Sequence, residues 1–218
     1  STVNGTNLAV GFALNNSTTI ENCGVRASSY SNVMVTGKKA VGFITDNTGD
    51  ISKCFATGTV DGVELAAGFV QNNSKTISSS YANCQTTAEQ NAYGFAVAND
   101  ATIQNCYSAG LVKSESSSET HSVYGFGSNN DTIENCYSIC GLELNADGAK
   151  VYGFSNQEGT VTNCYWGYSK HHNMGVHEEA EANSGEYGTK ISLLDLLYSL
   201  YAPCTAIGFS LRNLIRAL

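Results

Sequence analysis

Hydrophobic positions in this chain return in blocks rather than as one continuous period. A Gly-Phe pair preceded by an apolar residue occurs at Gly11-Phe12, Gly42-Phe43, Gly68-Phe69, Gly94-Phe95, Gly125-Phe126 and Gly153-Phe154. Seven or eight residues after each Phe stands a β-branched residue: Ile20, Ile51, Ile77, Ile103, Ile133 or Val161. Three residues further on comes Cys23, Cys54, Ser80, Cys106, Cys136 or Cys164. The Phe-to-Cys half of each repeat is nearly constant in length. The other half varies and carries inserts such as Lys113 to Ser122 and Leu144 to Lys150. Within the constant half the local pattern alternates. In "TIENCYS" a period of two places Ile133, Asn135 and Tyr137 on one face and Glu134 and Cys136 on the other.

A repeat of 26 to 31 residues holding two or three short strands cannot bury an apolar face alone, but stacked copies can. The pattern therefore predicts an all-β protein, a parallel β-helix or β-solenoid of about six coils. With one strand spacing per coil, the stack spans roughly 29 Å. Equivalent positions then form columns along the axis. Phe12, Phe43, Phe69, Phe95, Phe126 and Phe154, with the β-branched residues and Cys23, Cys54, Cys106, Cys136 and Cys164, are the predicted core columns. Asn16, Asn47, Asn73, Asn99 and Asn129 fall in the turn after Phe, where Asn tolerates left-handed backbone and can hydrogen-bond along the stack. The solenoid is expected over residues 1–167 and a loop, short helix and capping tail over 168–218. In the tail, "SLLDLLYSLYAP" reads as a helix that opens on Ser192 and Asp195 and stops at Pro203. Such a tail would cover the open last coil, or meet a neighbouring subunit.

Composition narrows the chemistry. The 218-residue chain has a net charge of −8 with scattered Lys and Arg, which argues against nucleic acid, whose phosphates need clustered cations. No apolar run reaches membrane-spanning length. The chain opens at Ser1 on polar residues without an apolar leader, as a mature form or an excised fragment would. Eight cysteines invite a metal or disulfide reading, yet no CxxC pair occurs. One Cys per coil spreads along a line instead of converging on an ion. Neighbouring column cysteines have parallel Cβ vectors, a poor geometry for bridging, so they are expected as buried free thiols. Cys84 and Cys140 share a second column two coils apart, too far to bridge.

The candidate metal ligands are His171, His172 and His177 in "KHHNMGVHEE". They lack the H-E-x-x-H spacing, and the adjacent pair points apart if extended, so a solvated loop is expected and no metal or cofactor. For glycoside chemistry, which needs paired carboxylates, the candidates are Asp46, Asp50, Asp61 and Glu64, with solvated turns as the competing reading. Thr18, Thr48, Thr76, Thr102, Thr132 and Thr160 sit near the turn and raise ice or flat-crystal binding, but as an array they are only approximate.

The stretches "VGFITDNTGDISKCFATGTV" and "YGFAVANDATIQNCYSAGLV" resemble the repeat of GLUG-repeat proteins. "NCYWGYS", "GEYGTKISLLDLL" and "AIGFSL" are similar to the way such arrays end. Two features depart from the pattern: the second glycine is mostly absent, and Ser80 stands for Cys. The resemblance implies a bacterial surface or secreted protein, of the kind found in filamentous-haemagglutinin-like adhesins and in stalks beside peptidase domains. It implies no catalytic residues. The expectation is therefore a non-catalytic adhesive or structural stalk at the cell surface or outside the cell, meeting a host or surface glycan or protein. A filament subunit and a carbohydrate-active enzyme are the alternatives.

Overall fold

A computed structural model describes residues 2–27, 33–118, 120–129, 131–144, 150–157, 159–168 and 189–192. The chain is a succession of short strands on three sheets that winds into a parallel β-solenoid, with five turns separating Phe12 from Phe154. Every strand pairing between coils is parallel. No helix occurs among the described residues. Ser192, where the predicted tail helix opens, ends the strand Thr189–Ser192; the rest of that helix, Cys204, and the candidate ligands His171, His172 and His177 lie outside the described residues.

One coil shows the route. After Phe43, Ile44–Asn47 enters a six-stranded sheet. The chain turns into Ile51–Ser52 of a second six-stranded sheet. It turns again at Lys53 and runs through Phe55–Ala67 of a large 13-stranded sheet. That long strand pairs with two strands of the next coil: Phe55 to Gly62 face Tyr81 to Ala88, and Leu65 to Ala67 face Asn91 to Tyr93. From there on each coil breaks the long strand in two, as Tyr107–Ser114 with Ser122–Tyr124 and Tyr137–Leu144 with Lys150–Tyr152. The inserts sit at this break. Beyond Tyr165–Tyr168 the large sheet gains one more strand, Thr189–Ser192.

Repeated residues make the core because each rung must accept the same side chain as the last. The rings of Phe43, Phe69, Phe95, Phe126 and Phe154 are buried and stack nearly parallel, with centroids 4.7–4.8 Å apart. Ile51, Ile77, Ile103 and Ile133 fill the adjoining column. Phe12 departs from the predicted core: it is 43% exposed, with one ring face on Phe43 at 4.6 Å. Ile20 and Cys23 are likewise half-buried. All three belong to the first coil, which has a neighbour on one side only.

The glycine before each Phe has a steric cause. A Cβ at Gly42 would run into the carbonyl oxygen of Gly68, one at Gly68 into that of Gly94, and one at Gly94 into that of Gly125. Here the coil is pinched. The same glycines oppose small residues across the interior, with Ala56 beside Gly42, Ala82 beside Gly68 and Ser138 beside Gly125. Ser108 Oγ donates to Gly125 O at 2.6 Å across this neck.

Two expectations from local pattern are corrected. Ile133 and Cys136 both point into the core, so the period of two does not hold between them. The intervening Asn135 has φ 53°. A left-handed residue turns the strand, and the next inward position arrives one residue late. The left-handed column is Asn22, Lys53, Ser79, Asn105, Asn135 and Asn163, with φ between 50° and 57°. The asparagines after Phe do not supply it. They form a buried amide ladder: Asn16 Nδ2 donates to Asn47 Oδ1 at 2.8 Å, Asn47 to Asn73 at 2.8 Å, and Asn73 to Asn99 at 2.7 Å.

Because Asn tolerates left-handed backbone better than Ser, Ser79→Asn should raise stability by about 0.5 kcal/mol. Urea unfolding measures it, and a loss of stability would show that the corner is not limited by backbone conformation.

Candidate functional site

The chemistry-bearing side chains divide between a closed interior and one edge of the large sheet. In the interior, the cysteine column is more than apolar filler. Each thiol donates to the carbonyl two residues before it: Cys54 Sγ to Ser52 O at 3.2 Å, Cys106 to Gln104 O at 3.2 Å, Cys136 to Glu134 O at 3.2 Å and Cys164 to Thr162 O at 3.3 Å. Ser80 Oγ makes the equivalent bond to Ser78 O at 2.9 Å. Backbone N–H groups then reach the next rung, Ser80 N to Cys106 Sγ at 3.4 Å and Cys106 N to Cys136 Sγ at 3.3 Å. A hydroxyl performs both tasks, which explains why serine is accepted in this column.

The seven described cysteines, Cys23, Cys54, Cys84, Cys106, Cys136, Cys140 and Cys164, are all free. Gly110 separates Cys84 from Cys140 in the second column. Burial in apolar surroundings opposes ionisation and raises Cys84 to about 12 and Cys140 to about 11. Cys136 is raised as well, first by burial and then by its bonds with Cys106 and Cys164. Interior thiolates are therefore disfavoured, and so is nucleophilic or redox work by these residues. Among the described cysteines, an alkylating reagent at pH 8 should reach Cys23 alone within minutes, as read by peptide mass spectrometry. The unfolded chain can ionise Cys84 and Cys140 from about pH 9, whereas the folded chain cannot until about pH 11 to 12. Stability is therefore full below pH 9 and falls as the pH rises through that window.

The edge is built by the link between the two halves of each large-sheet strand. The link is Val63 and Glu64 within the continuous Phe55–Ala67 strand, then Glu89 and Gln90 in the next coil, then a longer segment described over 115–118 and 120–121. Each rests on the one before: Glu89 N donates to Val63 O at 3.1 Å, and Glu115 N donates to Ala88 O at 2.8 Å. The longest link is held by its own hydroxyls. Ser118 N donates to Ser116 Oγ at 2.9 Å, and Ser116 Oγ lies 2.6 Å from His121 Nδ1. The hydroxyl and the ring nitrogen share one proton, and which of them donates follows the imidazole tautomer. Ser116 is largely buried, so this Ser–His pair braces the loop rather than presenting a nucleophile.

Carboxylates gather along the edge, from different coils. Asp61 is raised above its usual range, first by partial burial and then by Glu115 and Glu89. Lys113 offsets Glu115 at 3.1 Å. The sequence candidates for a carboxylate pair are not brought together. Asp46 lies in the Ile44–Asn47 strand and accepts from Asn72 Nδ2 at 2.6 Å. Asp50 sits in the turn before Ile51, and Glu64 is paired with Lys38 at 2.8 Å. Of the three, sequence inspection singles out Asp61 alone; Glu89 and Glu115 escape it because they stand 28 and a further 26 residues along the chain with no shared motif. Only the strand register makes them neighbours. Among the described residues, no group of three or more His, Cys, Asp or Glu side chains is placed to hold a metal ion. Thr102, Thr132 and Thr160 are in register. No described helix is long and apolar enough to cross a membrane.

Comparison with known proteins gives a fold-level match. No family model and no curated protein matches the chain. The solved structure of a putative immunoglobulin A1 protease from Bacteroides ovatus is similar at 20% identity and a TM-score of 0.54. The match covers 91% of this chain and 71% of that one. At this identity the likeness concerns the fold alone.

Proposed function

We propose that the chain is a non-catalytic stalk and display module of a surface-exposed or secreted bacterial protein. Its interior keeps the repeats in register, and its large-sheet edge meets a host or surface glycan or protein. The observation that carries this reading is the contrast between the two halves of the coil. The Phe-to-Cys half repeats one side chain per rung, while the edge links change in length and chemistry from coil to coil. A scaffold needs the first property. Recognition by loops held on a rigid frame uses the second.

The resemblance to GLUG repeats supports a surface setting. No cofactor is required. The name of the Bacteroides ovatus protein raises cleavage of immunoglobulin A1 as a competing activity. The edge offers that reaction a buried Ser116 and carboxylates without an assembled acid–base pair. We therefore expect no cleavage when the chain is incubated with immunoglobulin A1.

The direct test is an array of glycans and extracellular proteins probed with the wild type and with a variant whose 115–121 link is shortened to the two-residue form at Glu89 and Gln90. Binding that disappears in the shortened variant, with an unchanged melting temperature, supports the reading. Binding that persists unchanged in that variant would sink the edge as the contact surface. Hydrolysis or cleavage of a tested ligand would replace display with catalysis.

A further inference from the structure

The outward side of the large sheet changes character along the stack. Successive residues of a strand point to opposite sides. On Tyr81–Ala88 the inward set is Ala82, Cys84, Thr86 and Ala88, all buried. Tyr81, Asn83 and Gln85 therefore face outward, and each is half-buried or exposed. The register carries these positions to Tyr107, Ala109 and Leu111 in the next coil, and to Tyr137, Ile139 and Gly141 in the one after. The tyrosines keep one column, with ring centroids 4.8 Å apart from Tyr81 to Tyr107 and 5.0 Å from Tyr107 to Tyr137. Beside them the side chains turn from amide to apolar.

Burial changes at the same place. Tyr107 is 2% exposed, Ala109 1%, Tyr137 3% and Ile139 2%. None of the four belongs to the core cluster that holds the Phe, Ile and Cys columns, or to the smaller cluster around Tyr93 and Tyr124. They face away from the interior, and among the described residues no strand lies over that side of the sheet. A bare outer face would leave them in water, as it leaves Gln85. Their burial calls for a cover that the described strands do not supply.

We propose that residues 193–218, which lie outside the described part, dock on this face. The segment begins where the strand Thr189–Ser192 ends, and that strand belongs to the same sheet, three strand spacings from Tyr107–Ser114. Three spacings amount to about 14 Å. The stretch 193–202, which the sequence predicts as a helix, would span about 15 Å, enough to cross them. Its Leu193, Leu196, Leu197 and Leu200 recur at the spacing of one apolar helix side. Charge agrees. Residues 193–218 hold eight leucines and three charged residues, Asp195, Arg212 and Arg216, and the six outward residues they would cover carry no charge. Docked there, the segment ties successive coils together across their flank. The polar outward positions of the earlier coils, Thr57, Thr59, Asn83 and Gln85, remain the open part of the face. The inference rests on this flank alone and does not depend on what the edge binds.

Hydroxyl-radical footprinting of the full chain, read by peptide mass spectrometry, tests the proposal. Tyr107 and Tyr137 should label far more slowly than Tyr81. In the double variant Leu197→Asp, Leu200→Asp both should rise to the rate of Tyr81, while Tyr124, buried in its separate cluster, keeps its own rate. Wild-type labelling of Tyr107 and Tyr137 as fast as that of Tyr81 would overturn the proposal. So would protection that persists in the variant, since another segment or a second copy would then be the cover. Should the variant also lose protection at Tyr124, as a misfolded chain would, a second measurement decides. A benzoylphenylalanine photo-crosslinker replaces Leu200 in the otherwise unchanged chain. A crosslink within one chain to residues 107–111 or 137–141 supports docking; a crosslink elsewhere, between two chains, or none at all overturns it.

Discussion

Gly94→Ala should cost about 3 kcal/mol or more, one of the largest losses for the smallest change in side chain. The new methyl group would enter the space held by the Gly125 carbonyl oxygen, and it would also press on Cys140 Sγ, 3.1 Å away. Neither can retreat. The carbonyl accepts the Ser108 hydroxyl at 2.6 Å, and Cys140 is buried. Relief would require the neck of the coil to open, which parts Ala82 from the glycine column. The loss follows from a carbonyl lying where a Cβ would stand. It does not come from backbone conformation, because no positive φ is recorded at this glycine. Urea unfolding gives the measurement. A loss below about 1 kcal/mol would show that the glycine column is spaced more widely than described.

The second large effect depends on position within one column. Phe126→Ala should cost about 4 kcal/mol, since the ring is buried between Phe95 at 4.8 Å and Phe154 at 4.7 Å. Both stacking contacts disappear and a cavity remains. Phe12→Ala should cost about 1 kcal/mol, because that ring is 43% exposed and stacks on Phe43 alone. Two chemically identical changes at equivalent repeat positions thus differ by about 3 kcal/mol. Paired unfolding curves check it. Equal losses would mean that the first rung is as enclosed as the fifth.

The repeat was legible because stacking demands chemical identity at each rung. The Phe column, the β-branched column and the Asn ladder could be read from spacing alone. The corner was harder. A two-residue alternation describes an uninterrupted strand, and Asn135 interrupts one. Four of the six left-handed residues are Asn, in the combination Asn-Cys, which was a usable signal overshadowed by the more regular Asn after Phe. The Cys-to-Ser exchange at Ser80 looked like a defect in the pattern. It is a conservative swap of one donor for another above the same carbonyl.

The neck and the edge were not legible, for a different reason. Gly125 meets Ser138, and Asp61 meets Glu89 and Glu115, across halves of a coil or between coils. No fixed sequence distance connects such pairs once inserts vary the loop half. Sequence candidates for catalysis, Asp46, Asp50, Asp61 and Glu64, were chosen by closeness along the chain. In a solenoid, residues a few positions apart are carried onto different sheets, while residues one coil apart become neighbours.

The central claim is that residues one repeat apart lie on successive rungs. Nuclear Overhauser contacts between selectively labelled phenylalanine rings test it most directly. Phe69 should show contacts to Phe43 and to Phe95, whose ring centres lie 4.7 Å away on either side, and none to Phe126, two rungs off. Absence of the contacts to Phe43 and Phe95, or a direct contact between Phe69 and Phe126, would contradict the stack.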